Sequence, residues 1–319
     1  MLAPATADAI CRRGVGAAEQ WPTAAAHLSS DRPPIYAFLI PMAAAGATMT
    51  ALVSVPTLVR ICRVAGKSKD RHRKLYVMIP PASPLVLATV KLVIALAPRT
   101  WKMLNILCAI FEAFAFWSFL NLLLSFIRTS AGDVATALTQ VQPVRVWCCI
   151  YRKPCMGDVR LVKALVWTFM IVVVLVSCLE LADDWAHEHD MLLSLASLAT
   201  LIGCVVAELA LIRMGAEIFG ERGPHTKFWT MKGLFVASTM STRVFRRFVT
   251  SDVVVGSLCY SRETLVAAWS GGCTALVAFL VAVLASQAFS PRDLSDEAAD
   301  VDKAADVESP RPRTVEISL

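Results

Sequence analysis

The first residue in this chain that could do chemistry is a carboxylate inside an apolar run. Glu112 stands within Ile110-Phe111-Glu112-Ala113-Phe114, about eight residues into a hydrophobic segment and roughly 12 Å deep at 1.5 Å per residue. An ionised carboxylate at that depth costs about 2.5–3.5 kcal/mol or more, so it needs a partner, a wet cavity or a proton. Asn105, seven residues earlier, falls on nearly the same helical face. Lys91 lies about as far before the connection at 98–103 as Glu112 lies after it, so the two can meet at one depth. A lysine near a helix end also reaches the interface by snorkelling, and both readings stay open. Arg243, Arg246 and Arg247 follow i, i+3, i+4 spacing and so present one cationic face. Such a face suits an anionic solute or a lipid headgroup, and equally suits interfacial snorkelling. For Glu112 the structural alternative is a protonated or paired residue that only joins two helices.

The sulfur and imidazole groups point to modification rather than catalysis. Cys148, Cys149 and Cys155 sit with Arg145, Arg152 and Lys153, and cysteines beside basic residues near a membrane are favoured for S-palmitoylation; inert thiols are the alternative. A closed zinc shell needs four ligands, and no further Cys or His accompanies these three. His187-Glu188-His189-Asp190 reads as a solvated acidic loop, since metal ligands usually sit on rigid elements with a supporting shell. HExxH, GxSxG and P-loop patterns are absent from the sequence, so neither enzyme chemistry, a metal nor a cofactor is expected.

The elements that position these residues are long apolar runs. Hydrophobic residues make up 56% of the 319 and charged ones 18%, against about 45–50% and 25% in soluble domains. Crossing a hydrocarbon core takes about 20 apolar residues. Seven runs qualify, at 35–61, 75–97, 104–127, 160–182, 191–213, 228–250 and 263–288. Pro80, Pro81 and Pro84 imply a kink in the second that neighbouring helices must cover. The sixth is the weakest, because its three arginines crowd one half. Basic residues gather in the first, third and fifth connections and the C-terminal tail, which places those inside and the N-terminus outside. The chain thus reads as an all-α, polytopic integral membrane protein with seven spans at 34–289. Residues 1–33 form a tail expected to be disordered, without the apolar core of a signal peptide, so the first span is expected to act as anchor. Residues 290–319 are expected to be an acidic disordered cytoplasmic tail. The long connection from Thr129 to Gly157 is expected to hold a short interfacial segment. The net charge of +6 resides mostly in short connections, which argues for topology and anionic lipid contact over nucleic acid.

The third run, Ile110-Phe111-Glu112-Ala113-Phe114-Ala115-Phe116-Trp117-Ser118-Phe119-Leu120, resembles the core motif of the organic solute transporter alpha-subunit family, which includes the transmembrane protein 184 branch. Tyr76-Val77-Met78-Ile79-Pro80 is similar to that family's start of the second helix. Cys148-Cys149 through Pro154-Cys155 is similar to its cysteine-bearing loop, and Gly223-Pro224-His225-Thr226-Lys227-Phe228 to its entry into the sixth helix. The similarity spans about residues 35–288. Ala82 stands where the family has Tyr.

The resemblance implies seven helices and facilitated movement of amphipathic organic anions such as steroid or bile-acid-like conjugates, in the plasma membrane or an endomembrane. It also implies membrane lipids as surroundings and a small single-span beta subunit as a partner, with a homo-oligomer as the alternative. The expected path runs past Glu112, with Arg243 and its neighbours attracting the anion. Two rival readings are a seven-helix receptor and a lipid-binding membrane protein without transport. Against the receptor, Ser125-Phe126-Ile127-Arg128 stands where Asp-Arg-Tyr would follow the third helix.

Overall fold

Each long apolar run becomes one helix. In the computed structural model the described residues run from 35 to 290, apart from 66–70, 98–99, 132, 148–149, 180–182, 220–222, 252 and 256–257. The long helices are α1 (Tyr36–Ala65), α2 (Arg71–Leu96), α3 (Trp101–Ala131), α5 (Met156–Leu179), α6 (Asp183–Met214), α8 (Pro224–Phe248) and α9 (Arg262–Ala288). Between them lie two short helices, α4 (Val134–Gln140) and α7 (Ala216–Phe219), and two antiparallel hairpins. The hairpins pair β1 (Val144–Trp147) with β2 (Ile150–Arg152), and β3 (Val253–Val255) with β4 (Leu258–Tyr260).

The helices bury one side against each other and present large apolar side chains outward. On α3 the outward row is Met103, Leu107, Ile110 and Phe114, a helical stripe that water would penalise and lipid accepts. Leu52 and Val59 on α1, and Ile171 and Leu175 on α5, are exposed in the same way. Among the described residues six helices are long and apolar enough to cross a membrane: α1, α2, α3, α5, the Leu195–Met214 part of α6, and α9. These make the protein an integral membrane protein. The seventh expected span, α8, is one continuous helix of 25 residues, but Lys227, Lys232, Arg243, Arg246 and Arg247 keep it outside that set.

One expectation changes. His187 to Asp190 belong to the helical backbone of α6 rather than to a loop; their side chains lie outside the described residues. The connection after α3 holds the short helix α4 and the β1–β2 hairpin. Both tails, 1–33 and beyond 290, fall outside the described residues.

Helix ends follow local chemistry. Gly223, at φ 56°, takes the left-handed conformation just before α8, and Pro224 supplies the first turn, where its missing N–H is harmless. At the other end, Arg262 donates to the carbonyls of Val249 (2.8 Å) and Arg246 (2.6 Å), meeting acceptors that a helix C-terminus leaves unpaired. Asp158 accepts from the Cys155 N–H at 2.9 Å and from Arg152 at 2.5 Å, which caps α5 and ties β2 to it. The three prolines of α2 are buried within an unbroken helix, packed between α1, α3 and α9.

The helix α9 is the hub, packing against α1, α2 and α8. Its contact with α1 is a backbone contact: a Cβ added at Gly46 would lie 2.6 Å from the Ala275 carbonyl carbon. Gly46→Leu is therefore expected to cost about 1–3 kcal/mol or more by overpacking, read as a lower midpoint of thermal unfolding in detergent. Gly233→Ala, with nothing within 4 Å of the new Cβ, should leave the midpoint unchanged or raise it. Equal effects at the two positions would contradict the packing described.

Candidate functional site

The charged interior of the bundle is assembled from α2, α3, α6 and α8. The helix α6 contributes Glu208, one turn after the buried Cys204, and α8 contributes Lys232, one turn after Phe228. The Lys232 Nζ lies 2.7 Å from Glu208 Oε2, and the two side chains are 1% and 0% exposed. The distance makes this an ion pair, yet neither Nζ nor either carboxylate oxygen completes a well-directed hydrogen bond among the described residues. We weigh the distance above the angle: attraction between opposite charges is weakly directional, whereas a hydrogen bond is not. The ammonium also lies 2.9 Å from the centroid of the Phe116 ring and 5.6 Å from that of Phe228, where the negative faces of the rings favour it. Phe116 packs in turn on Phe169 and Phe235, with centroids at 4.7 and 5.4 Å.

Glu112 lies one turn before Phe116 on α3 and is half-buried. Lys232 and Lys91 are the cations whose charges bear on it. Lys91 is buried on α2 and donates to Asn105 Oδ1 at 3.2 Å, while Gly271 of α9 closes over it, its added Cβ lying 3.6 Å from the Lys91 Cβ. This cluster thus holds two ammonium groups and two carboxylates, whose formal charges cancel; Arg73 of α2 and Lys227 of α8 are also buried, over the Phe126 ring.

Of the residues singled out by sequence, Glu112, Lys91 and Asn105 fall in this cluster. Arg243, Arg246 and Arg247 do not; they occupy the C-terminal end of α8. There Arg246 Nε lies 3.5 Å from Glu263 Oε2, Arg243 is half-buried and Arg247 is exposed. Cys155 is an exposed free thiol beside Arg152 at 3.3 Å. That hydrogen bond, and the Asp158 charge, hold the Arg152 guanidinium above its ordinary pKa. Cys148 and Cys149 lie outside the described residues. Among the described residues no group of three or more His, Cys, Asp or Glu is placed to hold a metal.

Glu208 and Lys232 went unread in the sequence. The rule that singles out Glu112, a lone charge within an apolar run, applies equally to Glu208 in Val205-Val206-Ala207-Glu208-Leu209-Ala210. Lys232 has no such signal, because α8 is too polar for one charge to stand out.

Apolar outer faces around a charged interior define a polytopic α-helical membrane protein. Residues 42–294 match the family model described as organic solute transporter Ostalpha, which covers most of the chain and agrees with the motifs quoted above. The chain belongs to the organic solute transporter Ostalpha family, a family of membrane solute transporters. Comparison with curated proteins and with solved structures returns no match.

Removing one partner of a buried ion pair strands the other charge, at about 3–5 kcal/mol. Glu208→Gln and Lys232→Met should therefore each lower the thermal midpoint in detergent, and the double variant should recover most of the loss. Silent single variants would mean that the two charges do not depend on each other.

Proposed function

We propose that this protein is a transporter, or a transporter subunit, for amphipathic organic anions such as steroid or bile-acid-like conjugates, acting by facilitated diffusion. The observation that carries the reading is the pairing of the buried Lys232 ammonium with aromatic walls inside the bundle of an Ostalpha-family chain. An amphipathic anion has the complementary form, a charged head on an apolar body. Lys91 and Lys232 supply cations for the head, and Phe116 and Phe228 apolar surface for the body, with Glu112 between the two lysines electrostatically. Arg243, Arg246 and Arg247 lie at one end of the same helix as Lys232 and serve as an outer cationic collar.

In this reading α8 is the seventh span, with the N-terminus outside and the C-terminus inside. A helix bearing Lys232 can enter the membrane because α6 supplies the counter-charge. The alternating basic connections support the orientation. A small single-span subunit or a second copy of the chain completes the assembly. Cys155, with Cys148 and Cys149, is an acylation site on the inner side.

In proteoliposomes containing the protein and its partner subunit, a labelled steroid sulfate should equilibrate in both directions without an imposed ion gradient. Glu112→Gln should slow that flux roughly tenfold, the weight of about 1.4 kcal/mol in the barrier, while the protein stays folded. Flux equal to that of empty vesicles would rule out transport in that assembly. Separately, hydroxylamine-sensitive acyl labelling should vanish in the triple Cys148→Ser, Cys149→Ser, Cys155→Ser variant; full labelling there would place the acyl chain elsewhere.

A further inference from the structure

The bundle has sparse contacts as well as close ones, and α8 touches α2, α3 and α6 only lightly. The helix α8 packs closely on α9, and α6 on α5, but α6 and α8 touch only sparsely. The Glu208–Lys232 pair spans that seam. We propose that Lys232 is the anion-binding residue of the solute site and Glu208 its displaceable internal counter-ion, so that the anionic head of an amphipathic solute replaces Glu208 and parts α6 from α8. This rests on the transporter reading above and names the residue that would discriminate by charge.

Three observations converge on it. The pair rests on a single contact, Nζ to Oε2 at 2.7 Å, and no second hydrogen-bonding side chain holds either group among the described residues. A buried ion pair resists competition best when its remaining protons and lone pairs are met, so a sulfate or carboxylate with freely oriented oxygens competes well here. The surroundings suit an amphipath, since the ammonium rests on Phe116 and near Phe228. The charge sum gives the coupling. With Lys91, Lys232, Glu112 and Glu208 all charged this cluster is neutral, and an entering anion leaves the cluster one negative charge in excess. A released Glu208 cannot remain in a dry interior, so exchange requires water to enter the seam. Binding and separation of the helices are then one event.

The test uses full-length protein in detergent, with a steroid monosulfate, the matched uncharged steroid and an anionic phospholipid as separate probes. Glu208→Gln removes the competing carboxylate and should bind the sulfate roughly fivefold or more tightly, with the uncharged steroid unaffected. The double variant Glu208→Gln with Lys232→Met should keep uncharged binding and lose the preference for sulfate. A folded Glu208→Gln protein that binds sulfate no more tightly than wild type overturns the proposal, as does a double variant that retains the preference. If Glu208→Gln does not fold, the comparison of the double variant with wild type decides on the same criterion. Phospholipid that displaces the sulfate with the same dependence on Glu208 would make the occupant a lipid headgroup and overturn the solute assignment. Wild-type binding without any effect of Glu208 defeats this inference alone. Absence of sulfate binding in wild type and Glu208→Gln alike defeats the transporter reading with it.

Discussion

Hydrocarbon solvates neither a peptide group nor a charge, and every unusual feature of this protein answers to that constraint. The backbone answers it with helices, whose hydrogen bonds close within the segment. Among the described residues strands appear only in two short hairpins that lie between helices in the chain, away from the long apolar segments. The charges answer it by meeting in the interior: Glu208 of α6 finds Lys232 of α8, Lys91 of α2 finds Asn105 of α3, and Glu112 sits in the field of both ammonium groups. Removing these partners would leave α8 too polar to sit beside its apolar neighbours.

The same constraint sets how the bundle divides. Packing is close where small residues let backbones meet, as at Gly46 against Ala275 and Gly271 against Lys91. It is sparse between α6 and α8, which the Glu208–Lys232 ion pair crosses. Close van der Waals packing resists rearrangement, because an opened gap loses contacts along its whole length. An ion pair has other partners of the same chemistry, and any anion that reaches Lys232 is one. A seam closed by charge is therefore the place where a membrane bundle can respond to a charged solute without being disassembled.

Much of this was legible in the sequence, for a physical reason. Hydrophobic length is a one-dimensional property, so the seven helices lie within a few residues of the apolar runs, and the weakness of the sixth run reappears as the polarity of α8. Glu112, Lys91 and Asn105 were legible because charge inside an apolar run is costly wherever the helix packs. Pairing is a three-dimensional property. Hairpin geometry suggested Lys91 as the partner of Glu112, yet Asn105 takes the hydrogen bond of Lys91, and Lys232, from a helix far along the chain, also bears on Glu112. The β1–β2 hairpin escaped notice because Val144 to Arg152 is too short and too basic to give a strand pattern, and its pairing is confirmed only by the register of Val144 with Arg152.

The most direct measurement of this account is the separation of α6 and α8 in the presence of solute. Spin labels placed at Ile202 and Val236, both exposed on their helices, in a background with the other accessible cysteines replaced by serine, report that separation as a distance distribution. The account predicts a longer population when a steroid sulfate is added and no change with the uncharged steroid. A distribution indifferent to both, in protein that binds the sulfate, would contradict it.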